Sequence, residues 1–328
     1  MRSVLFFLLV FLPAILFAQK PEYKILFHGI GDNREFARNG VHSQTILGER
    51  TSFEIGTSLE ENHHLRIGLS HLFEFGSEVN EQKPKMIAYY QYEDNQKAFY
   101  FGAFPRMELI SFPLALLTDT LLYYRPNIEG LYGRYNWGWG HQLGFVDWTG
   151  RQTDSRREAF LAGFSGEVRS GSFFFQNYLT LFHYAETTQE VDSIHIRDNM
   201  GMVLYLGTDL EKFIPLDKGW FRLGILGSAL RERNVTDGFL NALSFTGEFY
   251  GEKKGFALRA TLHQGEGHHL MNGDRFYNFG SYLRTDVIWH FIRRQHIQGL
   301  FNLSFHLTEG SDLGQSQQLS LIYRFGGN

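Results

Sequence analysis

The stretch that decides the fold closes the chain: QQLSLIYRFGGN, residues 317–328. Leu319, Leu321, Tyr323 and Phe325 alternate with Gln318, Ser320, Ile322 and Arg324. A period of two is the signature of a β-strand. The apolar face is large and aromatic, and it runs almost to the last residue. Such a strand either borders a soluble sandwich or turns its apolar side towards something other than protein.

The same alternation recurs upstream. Ile297, Phe301, Leu303, Phe305 and Leu307 share one face, and Gln298, Asn302, Ser304 and His306 the other. Leu283, Val287, Trp289 and Phe291 oppose Arg284, Asp286 and His290. About sixteen such segments are expected, each near the ten residues of a membrane strand. They fall near 22–30, 45–59, 63–75, 85–93, 97–104, 129–135, 139–148, 158–168, 173–184, 199–209, 219–231, 238–250, 255–265, 281–292, 297–308 and 315–325. Fourteen is the alternative count.

The connections sort by parity. The even ones are mostly short, as in EENH at 60–63, EDNQ at 93–96, GEKK at 251–254 and RRQH at 293–296, with EKFIPLDKG at 210–218 the exception. The odd ones are mostly long, with 105–128 the longest. A soluble sandwich has no reason to sort loops this way. An outer-membrane barrel does, because its periplasmic turns are short and its outer loops long. Phe173, Phe221, Phe249, Phe256, Phe291 and Phe325 then stand beside the short turns, where an aromatic girdle belongs.

The first residues, MRSVLFFLLVFLPAILFAQ, read as a secretory signal cut after Ala18, which leaves residues 19–328 as a single barrel domain. The chain has no cysteine, so neither a lipoprotein anchor nor disulfides are available. A net charge of −4 without a long single-sign run points away from nucleic acid. Phe 32, Tyr 16 and Gly 35 beside only 7 Pro suit alternating strands better than amphipathic helices.

Taken together, the signal, the loop parity and the final strand LSLIYRF resemble the bacterial outer-membrane β-barrel proteins and, within them, the general porins. The resemblance covers the whole mature chain. It implies an all-β, closed antiparallel transmembrane barrel in the outer membrane of a Gram-negative-type bacterium, in contact with lipid and lipopolysaccharide. It also implies that the barrel-assembly machinery reads the last strand, although Gly326, Gly327 and Asn328 follow the usual terminal aromatic. The expected function is passage of small hydrophilic solutes, with oligomerisation possible. A non-conducting scaffold for an envelope assembly is the alternative, and a barrel hydrolase the third reading. No cofactor or metal is called for.

Four places carry candidate chemistry. The apolar loop 105–128 either folds into the lumen as the third loop of general porins does, with Arg106, Glu108, Asp119 and Arg125 as constriction residues, or forms a short helix that packs over the barrel mouth or against another subunit. The lumen wall would carry Arg222, Glu248, Arg259, His263, Arg284, Asp286, His290, His306 and Arg324, which either select ions or pair with one another. Ser304 and His306 share a strand face with Asn302 and are expected to line the lumen as polar residues; the alternative, a nucleophile and its base, has them in reversed order relative to the outer-membrane phospholipases they resemble. In GEGHHLMNGD, residues 265–274, Glu266, His268, His269 and Asp274 either bind a metal or form a solvated outer loop.

Overall fold

The computed structural model describes residues 21–36, 40–78, 83–188 and 195–327. The expected signal segment, residues 1–18, lies outside them. Sixteen strands follow one another: β1 (Pro21–Glu35), β2 (Gln44–Glu60), β3 (His63–Glu74), β4 (Lys85–Glu93), β5 (Lys97–Pro105), β6 (Asn127–Trp137), β7 (Gly140–Gly150) and β8 (Ala159–Ser170). The second half comprises β9 (Phe173–Tyr184), β10 (Arg197–Asp209), β11 (Lys218–Glu232), β12 (Leu240–Lys253), β13 (Phe256–Gly265), β14 (Ser281–Arg293), β15 (Ile297–Thr308) and β16 (Gly314–Gly327). One helical turn, α1 (Leu121–Tyr124), and a 3-10 turn, Arg275–Asn278, lie in outer loops.

Each strand pairs with its neighbours in sequence, and β16 returns to pair antiparallel with β1, from Tyr23↔Gly327 to Glu35↔Gln315. That closure explains the terminal strand. In hydrocarbon no backbone donor or acceptor can stay unpaired, so a sheet survives there only without edges. Leu319, Tyr323 and Phe325 are exposed on the outer face. Near the short turns the aromatics meet across strands: Phe256 stacks on Trp289 at 5.8 Å and Tyr23 lies 5.8 Å from Phe325.

Expected and observed strands agree closely, with one clear extension. β1 runs on to Glu35, through GDNRE, because that polar end still pairs with β16 beyond the apolar band. Wall height is uneven. β4 and β5 have 9 residues each, against 15 in β1 and 17 in β2. Where the wall is low, the connection from Pro105 to Asn127 enters the lumen. The buried apolar residues lie inside the barrel, where this loop packs against the inner faces of β4 to β8. A second inner cluster joins it to the loop 266–280.

Candidate functional site

The loop 106–126 starts from a buried anchor. Arg106 donates from Nη2 to the Asp147 carboxylate on β7, and from Nε to the Arg125 carbonyl oxygen at 3.0 Å. Its side chain is 2% exposed, and that of Asp147 is 0%. Arg106 therefore cannot face a water-filled constriction, contrary to expectation. Arg125 stays at the same anchor, 3.5 Å from Asp147. The loop's apolar composition demanded burial, and its two ends needed a charged clasp to hold it there.

The other two expected constriction residues do reach across. Glu108 adopts a left-handed backbone, with φ of 74°, and pairs with Arg324 on β16. Further along, Phe112 packs edge-on to Phe145 at 5.7 Å and to Tyr178 at 5.5 Å. Asp119 accepts from Arg34 at 2.9 Å and from Gln318 Nε2 at 2.8 Å. Beyond it, Arg50 donates to the Tyr123 carbonyl and Tyr124 OH donates to Glu74 at 2.8 Å.

The loop 266–280 lies against the first. Thr118 N donates to Asn272 O at 2.7 Å, and Asp274 N to Leu114 O at 2.8 Å. Gly273 permits this approach, because a Cβ there would stand 2.1 Å from the Ala115 carbonyl oxygen. Asn199 on β10 holds the loop through His269 O and Met271 N, at 2.9 and 2.8 Å. Three of the four residues weighed as metal ligands, against the alternative of a solvated loop, have side chains that serve separate partners. Glu266 accepts from Leu243 N, His268 bonds Ser228 and Ser244, and Asp274 caps the 3-10 turn by accepting from Phe276 N. Among the described residues no group of three or more side chains could hold a metal ion.

The wall charges mostly pair. Arg222 donates to Glu248 at 2.6 Å and to Gln176 at 2.6 Å. Arg284 donates to Asp286 at 2.8 Å and to Ser304 at 3.2 Å. His263 bonds Ser244 at 3.1 Å and Phe279 O at 3.0 Å. His290 shares the lumen face of β14 with Ile288 and is half-buried. Arg259 has no ion-pair partner among the described residues.

Ser304 and His306 do not bond each other. Ser304 donates to Asp286 at 2.5 Å, and a strand's period holds residues i and i+2 side by side without aiming them at each other. His306 finds its serine across the sheet. Its Nε2 lies 3.2 Å from Ser316 Oγ on β16, and its Nδ1 2.7 Å from Tyr282 OH on β14. Phe276 stacks on the imidazole at 4.6 Å and fixes its plane. Sequence alone missed Ser316, Tyr282 and Arg34. The first two faced the lumen by alternation, but only strand register brings them to His306.

His306, Ser316, Arg34 and Arg275 line a cavity of about 310 Å³ on the long-loop side. A second cavity of about 460 Å³ lies towards the short turns, beside Arg169, Trp220 and Arg259. Both are bounded by Asp119, Arg284 and Gln318.

A closed sixteen-stranded barrel with an apolar outer band and two loops folded into its lumen is a bacterial outer-membrane β-barrel protein. The family model described as Lipid A 3'-O-deacylase-type matches residues 23–325, and the chain belongs to that family. Similar solved structures include OccK11 (OpdR) of Pseudomonas aeruginosa, with 10% identity, a TM-score of 0.54, and 94% of this chain and 96% of that one covered. Another is the OmpT loop L8 deletion mutant, an outer membrane protein of Vibrio cholerae, with 8% identity, a TM-score of 0.56, and coverage of 94% and 100%. At such identity these share the fold alone. Among curated proteins none matches.

Proposed function

We propose that this barrel hydrolyses an acyl ester of lipid A, or of a lipid like it, in the outer leaflet. The observation that carries the reading is the family match over residues 23–325, and the geometry around His306 supports it. With Nδ1–H turned to Tyr282, Nε2 is free to take the Ser316 proton. Ser316 Oγ then attacks the ester carbonyl carbon. The sugar oxygen leaves with the proton, and water cleaves the acyl-serine by the same path. Arg275, at the mouth of the cavity, offers a guanidinium to a phosphorylated headgroup. The mature barrel, residues 19–328 after loss of 1–18, is the unit proposed to act.

The test is mass spectrometry of purified lipid A incubated with the refolded protein in micelles. Loss of one acyl chain is expected. It should fall at least about a hundredfold in Ser316→Ala and in His306→Ala, as for other essential nucleophiles and bases, and persist in Ser304→Ala. Intact lipid A after incubation with the folded wild-type protein would sink the reading.

A second reading, porin-like passage of small hydrophilic solutes, is favoured by the stacked polar cavities. They share Asp119, Arg284 and Gln318, so movement of one loop would join them.

A further inference from the structure

The hydrolytic reading of His306 does not use the cavity on the short-turn side. Its volume of about 460 Å³ lies within the range of about 300–1,000 Å³ usual for small-molecule sites. Arg169, beside the short turn between β8 and β9, and Trp220, opposite Tyr250 near the short turn between β12 and β13, place it near the periplasmic end. Loop residues Phe112 and Leu114 contribute to its lining.

Its charges nearly cancel, and the remainder is informative. Arg169 is taken by Glu167 and Asp209. Arg222 is taken by Glu248, and Arg284 by Asp286. Asp119 is taken by Arg34. Among the described cations of this cavity only Arg259 has no carboxylate in ion-pair contact, although Asp286 stands opposite it across the β13–β14 pair. Its guanidinium lies 5.6 Å from the Tyr250 ring centroid, and its Nε is buried with no hydrogen-bond partner.

Two acceptors on the same cavity are also unsatisfied. Asp286 Oδ2 and Asn302 Oδ1 are buried and accept nothing, although each side chain is held in place by its other atoms. A cavity that collects three buried polar atoms with no protein partner offers them to a ligand or to water. A guanidinium with no carboxylate in direct contact is open to one anionic group of a ligand. Two orphan acceptors call for hydroxyl donors. Phe112, Phe174 and Trp220 add apolar wall for C–H edges.

We propose that this cavity binds a hydroxylated monoanion of the sugar-acid class, its carboxylate on Arg259 and its hydroxyls on Asp286 and Asn302. The site stands apart from the Ser316–His306 pair and does not depend on hydrolysis.

The test is calorimetric titration of the refolded full-length barrel in detergent with sodium D-glucuronate, D-glucose and sodium acetate. Glucuronate should bind saturably, at least about tenfold tighter than either glucose or acetate. Arg259→Gln should reduce glucuronate to the level of glucose, and Arg259→Lys should retain part of the preference. Absent saturation, acetate binding as tightly as glucuronate, or an unchanged Arg259→Gln would each overturn the proposal. Folding of each variant is read from heat-modifiable migration on a gel. Should Arg259→Gln not refold, Asn302→Asp adds a second negative charge and must weaken glucuronate by a similar factor. Unchanged binding in that variant counts equally against the site.

Discussion

Asp119, in the loop that crosses the lumen, lies 2.9 Å from Arg34 near the end of the first strand. Its second oxygen accepts from Gln318 on the last strand. The loop is therefore fastened at the seam where β1 meets β16. Burial opposes the charge of Asp119, but Arg34 and Arg284 outweigh it, and its pKa falls below the ordinary carboxylate value. The clasp thus persists at neutral pH.

Removing it should loosen the loop without opening the barrel. Asp119→Asn and Arg34→Gln form a double-mutant cycle in which the pair's coupling is expected at about 1–2 kcal/mol. Protease cleavage within residues 106–126 reports loop release, and heat-modifiable migration reports the wall. Equal cleavage rates in wild type and both variants would show that the loop is held by its apolar contacts instead.

The Arg106–Asp147 clasp should matter more. Asp147→Asn strips a buried guanidinium of its counter-charge, which costs about 3–5 kcal/mol. Replacing both residues with apolar ones should cost less than either single change, since no charge is then stranded. Urea unfolding in detergent micelles, followed by tryptophan fluorescence, measures the order of the three variants.

His268 makes the loop 266–280 sensitive to acid. Burial, and next the neighbouring His263, hold its pKa down to about 4. Glu266 opposes that shift and His269 adds to it. Above about pH 6.5 the imidazole is neutral whether the loop is packed or released, so the full stability is present. As the pH falls from about 6.5 towards 4, only the released loop takes up the proton, and the packed state loses ground. Amide exchange over residues 266–280 should therefore rise between pH 7 and pH 5. His268→Gln, which keeps a hydrogen-bonding side chain without a titrating ring, should flatten that rise.

The wall was legible in the sequence because hydrocarbon imposes one rule on every strand. Period two, loop parity and the girdle at Phe256 and Trp289 are local signals, and each survives without knowledge of any partner. The lumen followed less readily. Arg106 and Asp119 both belonged to one polar-punctuated apolar loop, yet one became a wall anchor and the other a bridge to Arg34. That division depends on where β4 and β5 stop. His306 shows the same limit: Ser304 shares its strand and was visible, whereas Ser316 reaches it only through the pairing of β15 with β16.

Conductance separates a filled lumen from a narrow one. The two polar cavities meet at Asp119, Arg284 and Gln318, of which Asp119 belongs to the loop and Gln318 donates to it. In a planar bilayer the wild-type barrel should show few or no discrete steps, because two loops pack across the lumen at side-chain contact. Shortening residues 107–124 leaves the Arg106 anchor in place and removes Glu108, Phe112 and Asp119. Discrete steps should then appear, since a sixteen-stranded wall is wide enough to hold a channel once emptied. Large steps in the wild type would mean that the loop moves readily, and weight would shift to passage. Silence in the shortened variant would mean that loop 266–280 seals the lumen alone, as expected of a barrel that acts at its outer face or serves as a non-conducting scaffold.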